Sequence, residues 1–134
     1  MTEAIDICDV AAEALRDGGI DGAKALPLSR LDKKAGVVVR LMPLVTRRTY
    51  MDGSRQLDCY VQVVAKGDVG DEYGPMDTCE RAARVLCAAD LSSRNGSYVL
   101  CGDAEQDGDV ERLGIGTDGR HVWASRIVAK IIRS

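Results

Sequence analysis

Phenylalanine is absent from these 134 residues, tryptophan occurs once and tyrosine four times. A core made here is therefore filled by Val, Ile, Leu, Ala and Cys, with little help from large rings. Histidine is as scarce: His121 stands alone. One imidazole leaves no histidine pair for a zinc centre, and a cysteine or serine nucleophile needs a base beside it. Nothing in the sequence places a nucleophile next to His121. The five cysteines (Cys8, Cys59, Cys79, Cys87 and Cys101) include no CxxC pair. An odd count at wide spacing argues against a secreted disulfide scaffold and predicts small buried hydrophobes in a reducing compartment. No apolar run approaches the ~20 residues of a membrane span, and Met1-Thr2-Glu3-Ala4 is acidic and polar, unlike an export signal. These absences lead us to expect no catalytic residue, no cofactor, no metal and no membrane contact.

What is present is a chain of ordinary apolar content, 46%, long enough for one domain over 1–134 with a core that needs no disulfide or metal. The net charge of −3 is small, but it is unevenly spread. Acids outnumber bases in 1–29 and in 67–118, and bases outnumber acids in 30–66 and in 119–134. Such blocks make solvated faces, or complementary surfaces that meet between copies of one protein.

The element pattern is readable along most of the chain. Thr2 is placed to cap a first helix, with Glu3 and Asp6 in its first turn, and Ile7, Val10, Ala11, Ala14 and Leu15 give it one apolar stripe ending at Gly18-Gly19. Ala25-Leu26-Pro27-Leu28 predicts a short extended piece. Val37 to Met42 reads as a strand stopped by Pro43, and Val45 to Tyr50 as a second. Asp52-Gly53 is a tight turn, since Gly accepts positive φ. It feeds the strand Gln56 to Ala65, with Leu57, Cys59, Val61 and Val63 on one face and Asp58, Tyr60 and Gln62 on the other. Residues 66–71 read as a loop, and Pro75 opens a second helix, Met76 to Ala89, with Cys79, Ala82, Ala83, Leu86 and Cys87 as its stripe. A turn at Arg94-Asn95-Gly96-Ser97, a strand from Tyr98 to Cys101, an acidic loop and an apolar piece from Val110 to Ile115 follow. Asp118-Gly119 then turns into a last strand, His121 to Arg133, apolar on both faces over part of its length. The order predicts an α+β fold: a mainly antiparallel sheet of about four to five strands with two principal helices packed on it.

Several motifs carry less than their letters suggest. Gly114-Ile115-Gly116-Thr117-Asp118-Gly119 matches GxGxxG, but a dinucleotide site needs a helix after it and here a strand pattern follows. Asp103, Glu105, Asp107, Gly108, Asp109 and Glu111 resemble the front of a calcium loop, yet the twelfth position is Gly114 instead of a bidentate Glu. They read as a solvated acidic loop. Asn95-Gly96-Ser97 reads as a hairpin turn. Arg47 and Arg48, beside Tyr50 and near Arg40 and Arg55, form a small basic cluster. The sequence pI of about 5.1 is too low for specific nucleic-acid recognition.

Taken in order, an apolar-stripe helix running into a glycine break, the Tyr50-Met51-Asp52-Gly53-Ser54 turn feeding the alternating strand through Val64, a second helix, Asn95-Gly96-Ser97-Tyr98-Val99-Leu100, and Asp118-Gly119-Arg120 leading into a closing strand resemble the tail terminator proteins of long-tailed bacteriophages, a family also known as minor capsid proteins. The resemblance covers about residues 3–132. It implies a small α+β domain that assembles with itself as a ring, usually a homohexamer, at the head-proximal end of the virion tail after assembly in the host cytoplasm. The ring stops polymerisation of the tail tube protein and offers a docking surface to the head-neck connector, and DNA passes through its channel as non-specific cargo. No reaction and no cofactor are implied. In that role Arg47, Arg48, Tyr50, Asp52, Gly53, Ser54 and Arg55 are the expected subunit or tail-tube contact. Two rival readings are a different phage neck or head-completion protein, and a small cytoplasmic ligand-binding or enzyme domain, which needs a concave pocket with convergent polar groups.

Overall fold

Two long antiparallel strands form the spine. In the computed structural model, which describes residues 4–20, 22–25, 36–116 and 118–133, strand β4 (Arg55–Val69) pairs with strand β8 (Arg120–Arg133) from Arg55↔Arg133 to Val69↔Arg120. Strand β2 (Gly36–Leu41) and strand β3 (Val45–Thr49) lie one after the other along the far edge of β4. Pro43 separates them, since it has no N–H to continue the ladder. Strand β1 (Lys24–Ala25) pairs in parallel with β2. On the outer edge of β8 sit β5 (Val99–Leu100), β6 (Glu105–Gln106) and β7 (Glu111–Ile115), all antiparallel to it.

The protein is α+β, as expected, with two helices and one mixed, mostly antiparallel sheet. The strand count is eight among the described residues, more than the four to five expected. The extra strands are short pieces that take their register from β2 or β8. Residues 66–69, expected as loop, continue β4. The register shifts between Lys66 and Val69, and the chain turns only at Gly70, where φ is +79°.

Helix α1 (Ile7–Asp17) and helix α2 (Gly74–Ala88) cover one face of this sheet. Ile7, Val10, Ala11, Ala12 and Leu15 of α1, and Cys79, Ala82, Ala83 and Leu86 of α2, are buried. They meet Leu57, Cys59, Val61, Val63, Ile127, Ala129 and Ile131 of the spine, so the predicted inward face of β4 is the core face. The first helix ends as its glycines predict: Ile20 N–H reaches back to Leu15 C=O at 2.9 Å, with Gly19 at φ +95°. Thr2 and Glu3 lie outside the described residues, as do Leu26, Pro27 and Leu28. The residue at the helix start is Asp6, and its carboxylate makes no cap within α1.

Among the described residues the second face carries no helix. A short row, Val38↔Val64↔Ala124, runs across three strands there and forms a small apolar cluster with Val122. This is the two-sided burial expected for part of β8. Beyond that row the face is mixed: Asp58, Tyr60, Gln62, Arg126 and Lys130 share it with Val128 and Ile132.

Two expectations are corrected. Cys59 and Cys79 are buried, but Cys8 and Cys87 are half-buried and Cys101 is exposed, because Cys101 follows the two-residue strand β5 at the sheet edge. Asn95-Gly96-Ser97 does not join two strands. It lies between α2 and β5, where Asp6 of the first helix end holds it: Ser93 Oγ, Arg94 N–H, Asn95 N–H and Ser97 Oγ all donate to its carboxylate.

Candidate functional site

The turn at 50–54 projects as the tip of the β3–β4 hairpin. Tyr50 N–H donates to Ser54 C=O at 2.8 Å and Gly53 N–H to Tyr50 C=O at 3.0 Å, with Gly53 at φ +89°. Asp52 Oδ1 accepts from Ser54 N–H at 2.9 Å and from Ser54 Oγ at 2.6 Å. Those Ser54 hydrogen bonds, side chain first, hold the Asp52 carboxyl below the usual aspartate range. The predicted turn chemistry is therefore in place, and it stiffens a protrusion. All five residues of β3 are exposed. Met51 at the tip is fully exposed, at 107%. Sequence reasoning did not include Met51 among the candidate contact residues. The signal for it was an apolar side chain at the apex of a polar turn, in a chain with few large apolar groups to spare.

The basic residues of the hairpin divide into two kinds. Arg47 sits at a register shift between Thr46 and Arg48. Its Nε donates to Asp58 Oδ2 at 2.6 Å, and this bond, followed by the Asp58 charge, raises the guanidinium above its ordinary range. Asp58 is only 8% exposed, so the alternation put it on the correct face without revealing its burial. Arg47 thus serves the fold. Arg48, paired opposite Gln56, and Arg55, opposite Thr49, make no ion pair among the described residues. They flank the tip on the two strands of the hairpin. The structure brings Arg47, Arg48, Tyr50, Asp52, Gly53, Ser54 and Arg55 onto one protrusion.

The acidic stretch lies on the opposite edge of the sheet. It is less of a loop than expected, because Glu105 and Gln106 pair with Val128 and Ile127 of β8, and Asp107 N–H donates to Arg126 C=O at 2.8 Å. Pairing spreads the acids along β8 and away from a common centre. Among the described residues no group of three or more His, Cys, Asp or Glu side chains is placed to hold a metal ion. The glycine run at 114–119 joins β7 to β8 as a hairpin, with Gly116 N–H on Arg120 C=O at 2.9 Å. A strand follows it, where a dinucleotide site needs a helix. His121 Nδ1 lies 3.1 Å from Arg112 Nη2, and Arg112 Nη1 lies 3.4 Å from Glu72 Oε1, on the exposed surface. Among the described residues no cysteine or serine is bonded to that cluster.

Two grooves accompany these edges. One, of about 360 Å³, runs between the end of α1, β2 and the start of α2, and its polar groups are engaged: Asp71 Oδ1 accepts from Gly74 N–H at 2.9 Å, and Lys66 Nζ lies 3.2 Å from Asp118 Oδ2. The other, of about 350 Å³, lies between α2 and the acidic edge and is lined by Met76, Glu80, Arg84, Gln106, Asp109 and Val110. Met76, Glu80 and Arg84 are successive turns of one helix stripe. No described helix is long and apolar enough to cross a membrane. A comparison with protein-family models and with curated proteins finds no match for the chain.

Proposed function

We propose that the protein is a structural virion subunit that assembles with itself as a ring on the head-proximal end of a phage tail tube. The ring stops tube growth and presents a surface to the head-neck connector. One observation carries the reading: the Tyr50–Ser54 pattern, on which the resemblance to tail terminators rests, folds as a stiff, exposed hairpin standing off one sheet edge. A different, acidic surface occupies the other edge. Two unlike patches on opposite sides of one chain are what a cyclic ring requires, because its repeated contact is heterologous. The segregated charges favour the same geometry, since like patches repel and unlike patches attract. The ionisable groups of the described residues are paired locally or spread along edges, which suits a docking role better than a reacting centre.

The test is tube length. In the phage or prophage that encodes this chain, deletion of its gene should give over-long tail tubes, and purified protein should arrest polymerisation of the tail tube protein in solution. Tubes of normal length that fail to join heads would instead assign the chain to the neck or head-completion proteins.

A further inference from the structure

Which surfaces meet in such a ring is a separate question, and its answer rests on the ring reading. We infer that the β3–β4 hairpin tip of one copy docks into the groove between α2 and the acidic edge of the next copy. Met51 enters against Met76, and Arg48 and Arg55 meet Glu80 and Asp109.

Four features of the molecule carry this pairing. The hairpin is a protrusion and the groove, about 350 Å³, is a concavity, so their shapes are complementary. They lie on opposite edges of the sheet, since β3 pairs with β4 and the acidic strands pair with β8. One copy can therefore present its tip to one neighbour while its groove receives another. Their charges are opposite and unspent. Arg48 and Arg55 form no ion pair among the described residues, and neither do Glu80, Asp103, Glu105, Asp109 and Glu111. Finally, Met51 offers a fully exposed thioether at the tip and Met76 a half-buried one in the groove, a flexible apolar pair suited to an adaptable contact. Arg47 is left out, because its guanidinium already satisfies Asp58 within the same chain. Arg84, also in the groove, sets the specificity: it repels a misplaced arginine, so the tip must seat its basic groups toward Glu80 and Asp109.

The experiment uses the full chain and charge reversal. Sedimentation velocity and native mass spectrometry follow the oligomer at low and high salt, with screening lengths of about 14 Å and about 4 Å respectively. The hairpin variant carries Arg48→Glu and Arg55→Glu, and the groove variant carries Glu80→Lys and Asp109→Lys. Each alone should dissociate, its self-association weakened by about tenfold or more per reversed charge. Mixing the two should restore rings of alternating copies, because each hairpin then faces a groove of opposite sign. Unchanged far-ultraviolet circular dichroism and melting temperature establish that both variants fold, and Met51→Asp supplies a third disruption that leaves the groove intact.

Rings that persist in both charge variants, or a mixture that fails to reassemble, overturn the docking. So does a wild-type chain that stays single at low salt. Tube arrest is scored in parallel and separates the two readings. Rings and arrest retained by both charge variants reject the docking alone. A wild-type chain that neither forms rings nor arrests tubes rejects the ring reading with it.

Discussion

Asp6 and Ser93 are 87 positions apart in sequence, and Ser93 Oγ donates to Asp6 Oδ1 at 2.8 Å. This bond, with those from Ser97 Oγ and the N–H groups of Arg94 and Asn95, fastens the segment after α2 to the start of α1. Partial desolvation pushes the Asp6 carboxyl up, but the four hydrogen bonds together outweigh it and the carboxyl lies below the ordinary aspartate value.

Asp6→Ala should therefore lower stability at neutral pH by about 1–2 kcal/mol, since backbone and hydroxyl donors lose a charged acceptor. Because the folded carboxyl is the stronger acid, its contribution is complete above the ordinary aspartate value. It declines as pH falls from there through the lowered one. Melting curves of wild type and variant should stay apart at pH 7 and converge below about pH 4. A gap that widens on acidification would contradict the assignment.

A second expectation separates Arg47 from its neighbours. Arg47→Ala leaves Asp58, nearly buried, without its cation. Stability should fall, but by less than for a fully buried pair, because the arginine side chain is 55% exposed and solvent screens it. Arg48→Ala and Arg55→Ala should stay within about 0.5 kcal/mol of wild type. A double-mutant cycle of Arg47→Ala with Asp58→Ala measures the coupling by urea unfolding, and a coupling near zero would move Arg47 back among the surface arginines. Assembly defects of Arg47 variants must accordingly be read beside their stability.

The alternation in Leu57, Cys59, Val61 and Val63, the helix stripes and the turn at Asp52-Gly53 were legible because each is a local periodicity or a backbone requirement. Each is also satisfied by tertiary packing. The short strands were not legible. Lys24–Ala25, Glu105–Gln106 and Gly67–Val69 have no apolar alternation, and they are strands only because a neighbouring strand lies alongside. The basic cluster was visible as a cluster, but the division between Arg47 and the pair Arg48 and Arg55 was not, because it depends on a register shift that bends Arg47 toward Asp58. The groove below Glu80 could not be seen from sequence, since its walls are joined by β8 and not by chain neighbours.

The close approach of Gly67 to Pro75 gives a packing test. A Cβ at Gly67 would stand 2.7 Å from Pro75 Cδ and 2.9 Å from its Cγ, and the pyrrolidine ring, closed on its own backbone, can shift only by its pucker. Gly67→Ala should cost about 1–3 kcal/mol through overpacking. Pro75→Ala should recover part of the loss in the double variant, because it opens the space at the ring while the Asp71 backbone oxygen stays 3.1 Å from the new Cβ. Recovery would show that the extension of β4 past Lys66 is set by the start of α2. A Gly67→Ala variant as stable as wild type would refute the packing.

The cysteines should differ sharply in reactivity. Burial pushes the thiols of Cys59 and Cys79 up to about 12, and that of Cys8, helped by the Asp9 charge, to about 11. Thiolate is the reactive species, so these side chains carry almost none at neutral pH and are screened from reagent as well. Cys101 is exposed at the sheet edge. Iodoacetamide at pH 8 should label Cys101 first in the native protein, and should reach Cys59 and Cys79 only at the rate of unfolding, as mass mapping of peptides over time can show. Early labelling of Cys59 would mean that the face of β4 beneath the helices opens in the native state, and Leu57, Val61 and Val63 on that face could not then form a closed core.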